Sequence, residues 1–291
     1  MSKPRERFLI ISIAVLVVVA AGFFAYIMHR RAVTRNASPV ISCASDEIRV
    51  SVNASREDLL VGVTAMDAED GDLTGSIIIE SISQFVEKGK CTITYATFDS
   101  GNKVATASRT LYYTDYHSPR FELLSDLVYP AGTSATPLRS IRAYDCFDGD
   151  ITNRISMTVI NPDELGRQET RQVEFRVINS HGDVATLRAN IVTDERASLS
   201  DPEIELSTYL VYIEKGGELD PLSFVEHITL LRQVYTPEEF GVDALDADMS
   251  QFDANVPGQY RIPIYCEEDG HVGSTALYVV VEDTAASAPA A

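Results

Sequence analysis

The sequence predicts an all-β chain of three tandem β-sandwich domains behind one membrane-spanning helix. Three observations point there. An uncharged run of 21 residues lies near the N-terminus, a unit of roughly 80 residues recurs along the rest of the chain, and each copy alternates apolar side chains with period two.

The uncharged run is Phe8–Met28, in which only Ser12 is clearly polar. At 1.5 Å per residue a helix of that length spans roughly 31 Å, the thickness of a bilayer core. A cleaved signal peptide is the competing reading, because Val19-Ala20-Ala21 could pass as a cleavage site. The apolar run continues to Met28, longer than a signal core needs, and favours an uncleaved anchor. Residues 1–7 then form a cytoplasmic stub, 8–28 the transmembrane helix and 29–37 a juxtamembrane linker. Lys3, Arg5 and Arg7 precede the span while Arg30, Arg31 and Arg35 follow it, so charge leaves the orientation nearly balanced. The mass of the chain beyond the helix favours a single-pass protein of the cell membrane, N-terminus cytoplasmic and C-terminal domains extracellular.

Net charge is −19, and it is unevenly placed. Beyond residue 36 the chain holds 18 Lys+Arg against 42 Asp+Glu. Such an acidic surface repels phosphate backbones, so nucleic acid is not an expected partner. Cys43, Cys91, Cys146 and Cys266 lie far apart with no Cys-x-x-Cys spacing, which argues against a zinc site.

The repeat is visible by eye. Val63-Thr-Ala-Met-Asp-Ala-Glu-Asp-Gly-Asp-Leu-Thr74 returns as Ile141-Arg-Ala-Tyr-Asp-Cys-Phe-Asp-Gly-Asp-Ile-Thr152, and Ser38-Pro39 returns as Ser118-Pro119. Ile93-Thr-Tyr95 returns as Val173-Glu-Phe175, with a short insertion near Asn161-Pro162 keeping the offset at 80. A third, diverged copy opens at Asp201-Pro202 and keeps Pro257-Gly258-Gln-Tyr260 and Asp269-Gly270. It lacks the Asp-Gly-Asp element, and Leu222 to Leu231 is expected to form a short helix there. The copies set domains at 38–115, 116–195 and 200–283, with 284–291 as a disordered tail of small residues. Cys91, Ile93, Tyr95 and Thr97 alternate with Thr92, Thr94 and Ala96, as a strand with one buried face requires. The turn at Asp99-Ser-Gly101-Asn102 leads into Val104–Tyr113 and makes a hairpin. Short linkers, Thr114–Ser118 and Asp194–Ser200, predict a semi-rigid rod.

Asp67, Asp70, Gly71, Asp72, Leu73 and Thr74, followed by Gly89, Tyr95, Asp99, Gly101 and Asn102, carry a family likeness. In the second copy it rests on Asp145, Asp148, Gly149, Asp150, Thr152, Phe175 and Gly182, and in the third on Gly258, Tyr260 and Gly270. These positions resemble the bacterial Ig-like domains of Gram-positive surface proteins, a type also found in a pesticidal crystal protein. The resemblance implies three tandem immunoglobulin-like β-sandwich domains, cell-surface display, and an adhesive or spacer role. It implies no chemistry, because such domains are scaffolds.

The acidic turns are the only dense polar clusters. Asp67, Glu69, Asp70 and Asp72, and likewise Asp145, Asp148 and Asp150, carry hard oxygens of the kind calcium takes. The simpler reading is that Asp and Gly are what a tight turn wants, so no metal or other cofactor is expected. A duplicated carboxylate turn is a poor glycosidase, the histidines are scattered, and no nucleophile elbow or phosphate loop is present; no enzyme is expected. Tyr112, Tyr113 and Tyr116 read as half-buried strand ends before they read as a sugar platform. Cys43 aligns with Leu123 and Leu206, and Cys91 shares a face with Ile93, so both thiols of the first domain should point inward. In an exported domain they either form a Cys43–Cys91 disulfide or stay as buried free thiols. The expected partners are the membrane, through residues 8–28, and an extracellular protein or glycan. The function expected is adhesion, protein binding or structural spacing. An envelope-complex subunit and a carbohydrate-binding surface module are the alternatives.

Overall fold

The computed structural model describes residues 3–35, 37–130, 135–160, 170–194 and 201–283. The tail at 284–291, the insertion after Asn161 and the linker at 195–200 lie outside the described residues. The described chain carries one N-terminal apolar helix and six sheets that form sandwich-like Ig domains. It divides into two compact units, Met1–Ser83 with Cys91–Tyr112, and Gln84–Lys90 with Tyr113–Ala291.

Helix α1 runs from Lys3 to Arg35, so it takes in stub and linker residues that the sequence placed outside the span. Ala, Met and Arg are good helix formers, and nothing between Met28 and Arg35 stops the helix. Its window Ile11–His29 has a mean hydropathy of 2.6 and no part buried within the protein. Length and composition suit it to cross a bilayer.

The first unit continues with β1 (Val40–Cys43), β2 (Glu47–Val50), the single turn α2 (Arg56–Leu59), β3 (Val63–Asp67), β4 (Gly71–Asp72), β5 (Ile78–Ile82), β6 (Lys90–Phe98) and β7 (Val104–Tyr113). Two sheets result, ordered β1-β3-β4 and β2-β7-β6-β5. Alternation fills the space between them: Val63 and Ala65 from β3, and Cys91, Ile93 and Tyr95 from β6, are all buried. Arg109 of β7 is buried as well. It donates from Nε to the Tyr95 hydroxyl at 2.8 Å and from Nη2 to the carbonyls of Leu59 and Val61.

In the second unit β8 (Arg120–Leu123), β10 (Ile141–Asp145) and β11 (Gly149–Asp150) form one sheet, ordered β11-β10-β8. Facing it are β9 (Val128–Pro130), β12 (Ser156–Val159), β13 (Thr170–Ile178) and β14 (Val184–Asp194), ordered β12-β13-β14-β9, with β9 parallel to β14. The next pair of sheets is β15-β17-β18 (Glu203–Leu206, Val225–Leu230, Gln233–Tyr235) and β16-β21-β20-β19 (Leu210–Glu214, His271–Glu282, Gly258–Glu268, Leu245–Ala247). Gly273 lets β21 pass the Pro202 carbonyl, which a Cβ there would strike.

The segment Leu222–Leu231 is not a helix. After a 3-10 turn at Pro221–Phe224 it becomes β17, because Val225 and Ile228 are β-branched and both turn inward to full burial. The short α-helix of this repeat is α3 (Pro237–Phe240), where Thr236 and Glu239 form a capping box with Pro at the first turn.

The two sandwiches of the second unit share a continuous apolar core. Polar ties join them. Arg120 pairs with Glu282 at 2.6 Å and lies over the Tyr212 ring, and the Phe121 N–H donates to the Tyr212 hydroxyl. The side-chain amide of Gln259 donates to the Thr186 carbonyl and accepts the Arg188 N–H, while the Asn190 N–H donates to the Tyr278 hydroxyl.

Candidate functional sites

The Asp-Gly-Asp element folds alike in the first two repeats. Asp67 Oδ1 accepts the N–H groups of Glu69 and Asp70, as Asp145 Oδ1 accepts those of Phe147 and Asp148. Gly71 and Gly149 follow with φ of 75° and 67°, a conformation that favours glycine. Asp72 and Asp150 then accept the N–H of Thr74 and Thr152, and each threonine hydroxyl accepts an N–H of β3 or β10, from Ala65 and Ala143. The middle aspartates reach across to the next hairpin. Asp70 accepts the N–H and hydroxyl of Ser100, and Asp148 accepts the Ser180 N–H together with Arg154. Glu69 is exposed and gives the turn only its N–H.

These bonds set the charges. The N–H groups of Asp70 and Glu69 hold the Asp67 carboxyl below its ordinary range, and the Thr74 and Thr152 hydroxyls do the same for Asp72 and Asp150. Burial works against ionisation of Asp148, but Ser180 and Arg154 outweigh it and bring its pKa down. The aspartates weighed as calcium ligands are thus engaged in turns while the Glu69 carboxylate is exposed, and among the described residues no group of three or more His, Cys, Asp or Glu is placed to hold a metal ion.

Around the second repeat's turn an aromatic group packs within the second unit. Phe85 meets Tyr116 edge-on with centroids 4.7 Å apart, and Phe147 lies 4.4 Å from His181. Tyr116, weighed as a sugar contact, is buried: its hydroxyl donates to Asp183 and accepts from Asn179, and burial raises its pKa. Tyr112 and Tyr113 are half-buried, and Arg49 lies over the Tyr112 ring.

No bridge joins Cys43 and Cys91; all four cysteines are free thiols. Cys91 is buried on β6 and Cys43 is half-buried at the end of β1. Burial pushes the Cys91 and Cys266 thiols up to about 11.

Two open recesses lie in the second unit. One, of about 470 Å³, is lined by Gln172, Arg188, Asn190, Tyr260, Arg261 and Tyr278 among others. The other is walled by Asp243, Asp246, Glu267, Glu268, Asp269 and Tyr265. The sequence pattern pointed to neither; the first gathers residues from strands distant in the chain. Arg109, Asn179 and Gln259 were missed too. The 80-residue offset does align Asn179 with Asp99, a signal that was there to use.

No family model and no curated protein matches the chain. Among solved structures it is similar to the CBM51-2 and INT domains of Clostridium perfringens ZmpB in complex with GlcNAc, at 23% identity and TM-score 0.22, over 51% of this chain and 26% of that one. It is similar to Drosophila N-cadherin EC1-4 at 10% identity and TM-score 0.25, over 85% and 76%. The protocadherin GammaB4 extracellular domain matches at 11% identity and TM-score 0.20, over 84% and 49%. The chain thus spans about a quarter of the length of the clostridial protein. Likeness at this level bears on no ligand and no activity.

Proposed function

We propose that the chain is a non-catalytic, membrane-anchored cell-surface protein of the bacterial Ig-like type, acting in adhesion, protein binding or spacing. One observation carries this reading. An apolar helix whose Ile11–His29 window is not buried in the protein is followed by repeated sandwiches in which most carboxylates of the acidic clusters are used in their own turns. The helix has the length and composition to hold the chain in a bilayer. The N-terminus is cytoplasmic and the domains are extracytoplasmic.

The test is a pull-down from intact cells with the tagged chain, paired with protease added from outside. Loss of everything beyond residue 37 and recovery of a specific surface protein support the reading. A soluble product starting near Gly22 overturns it.

The recess at Arg188 and Arg261 favours a second reading, glycan binding, because amides, guanidinium groups and tyrosine rings suit hydroxyl-rich ligands. A glycan array probed with the chain and with Arg261→Ala separates the two readings.

A further inference from the structure

The recess lined by Arg188 and Arg261 lies where the two sandwiches of the second unit are tied together. Three hydrogen bonds hold its walls in place: Gln259 donates to the Thr186 carbonyl and accepts the Arg188 N–H, and the Tyr278 hydroxyl accepts the Asn190 N–H. Strand alternation sets what lines it. Val173, Phe175, Leu187 and Ala189 are buried, so Gln172 and Glu174 of β13 share the opposite face with Arg188 and Asn190 of β14. Gln172 stands opposite Asn190 and Glu174 opposite Arg188, while in the third repeat Arg261 of β20 stands opposite Tyr278 of β21. The charge here runs against that of the chain. Beyond residue 36 acidic side chains outnumber basic ones by 42 to 18, yet none of the described residues lining the recess is acidic and two are arginines. Arg188 gives Nε to Glu174 at 3.1 Å, and among the described residues its Nη groups have no acceptor. Arg261 is exposed, reaches the Tyr278 hydroxyl, and among the described residues makes no ion pair.

We propose that this recess takes the anionic end residue of a glycan, with Arg261 and Arg188 on its carboxylate or phosphate group and the amides of Gln172 and Asn190 on its hydroxyls. The proposal rests on glycan binding at the recess and adds the charge of the ligand. A guanidinium fork offers two parallel N–H groups to a carboxylate or phosphate, a match that a neutral hydroxyl does not return. Amides both donate and accept, as ring hydroxyls do. A volume of about 470 Å³ falls within the roughly 300–1,000 Å³ of small-molecule sites. The acidic surface beyond the recess repels a polymer of its own sign, so the ligand carries its charge on one end residue and not along its length.

The experiment measures affinity of the detergent-solubilised full chain for a matched set of glycans. The set is one oligosaccharide ending in a neutral hexose, the same ending in a uronic acid, the same ending in a hexose 6-phosphate, and heparin as a polyanion. At least one of the two acidic-ended glycans should bind about tenfold or more tighter than the neutral one, and the tighter of the two identifies the anionic group. Arg261→Gln should bring it down to the level of the neutral glycan, and Arg261→Lys, which keeps the charge and loses the fork, should restore only part. If Arg261→Gln fails to fold, the exposed Arg188→Gln is read the same way. Neutral and acidic ends bound equally, with equal losses in Arg261→Gln, overturn the proposal and leave glycan binding standing. No binding to any member overturns both. Heparin bound tighter than the single acidic ends overturns the proposal as well, since the charge would then be read along a polymer.

Discussion

The guanidinium of Arg109 donates to the hydroxyl of Tyr95 at 2.8 Å, deep between the sheets of the first unit. Its other hydrogen bonds go to two backbone carbonyls, and it lies over the Tyr95 ring, so dipoles and a ring face meet the charge. Removing it strands the Leu59 and Val61 carbonyls. Arg109→Ala should therefore destabilise the first unit by about 2–4 kcal/mol, and Tyr95→Phe by about 1 kcal/mol. Urea unfolding of both variants and the double mutant measures the coupling; additive losses would show the pair to be independent.

Thiol chemistry should divide the cysteines by burial. Cys91 and Cys266 are buried, with thiols pushed up to about 11, whereas Cys43 and Cys146 are half-buried. A maleimide at about pH 8 should label only the latter two in the native chain and all four after denaturation. Non-reducing peptide mapping should find no Cys43–Cys91 linkage. Early labelling of Cys91 would contradict the packing of β6.

Alkaline titration should leave several buried tyrosines behind, Tyr116 and Tyr212 above all. Burial raises the Tyr116 hydroxyl and pushes Tyr212 up to about 12. A group that keeps its proton longer in the folded state stabilises below the unfolded value of about 10, and that stability is lost as pH climbs above it. Absorbance at alkaline pH should show late ionisation that coincides with unfolding. Tyr212→Phe, which also frees the Phe121 N–H, should lose about 1 kcal/mol.

The aspartate turns should not depend on metal. Chelator should shift the melting temperature by no more than about a degree, since the turn carboxylates are held by N–H and hydroxyl groups of their own repeat. Asp148→Ala should cost about 1–2 kcal/mol by unpairing the Ser180 N–H and Arg154. A calcium-dependent rise in melting temperature lost in that variant would reverse this.

Membrane attachment should rest on α1 alone. The chain should stay with membranes through a carbonate wash, and Leu16→Arg with Val18→Glu should release it, because both side chains are fully exposed in the apolar window.

The fold was legible where periodicity was strong. Cys91, Ile93 and Tyr95 alternate in sequence and are buried together, and the Asp-Gly-Asp turn could be read twice. Leu222–Leu231 misled because Leu222, Val225, Ile228 and Leu231 recur every three residues, a spacing that points to a helix, and only tertiary burial of Val225 and Ile228 in a strand overrides it. The chemistry of the turns was half legible. Local Asx bonds follow from residue type, but Asp70 to Ser100 spans 30 residues and needs the fold. Arg109 was hidden for a related reason: its partners are carbonyls, which leave no mark in a side-chain pattern.

Gln259 has a consequence for where the chain tolerates truncation. β14 pairs with β13 on one edge but meets β9 on the other only from Val192 onward, so the backbone groups of the stretch before it have no strand on that second edge among the described residues. Gln259 and Tyr278 occupy those groups at Thr186, Arg188 and Asn190. A chain cut after residue 200 would keep the second sandwich whole yet bare a sticky rim, the kind of template on which copies add to one another. The third repeat thus covers part of its neighbour's open edge.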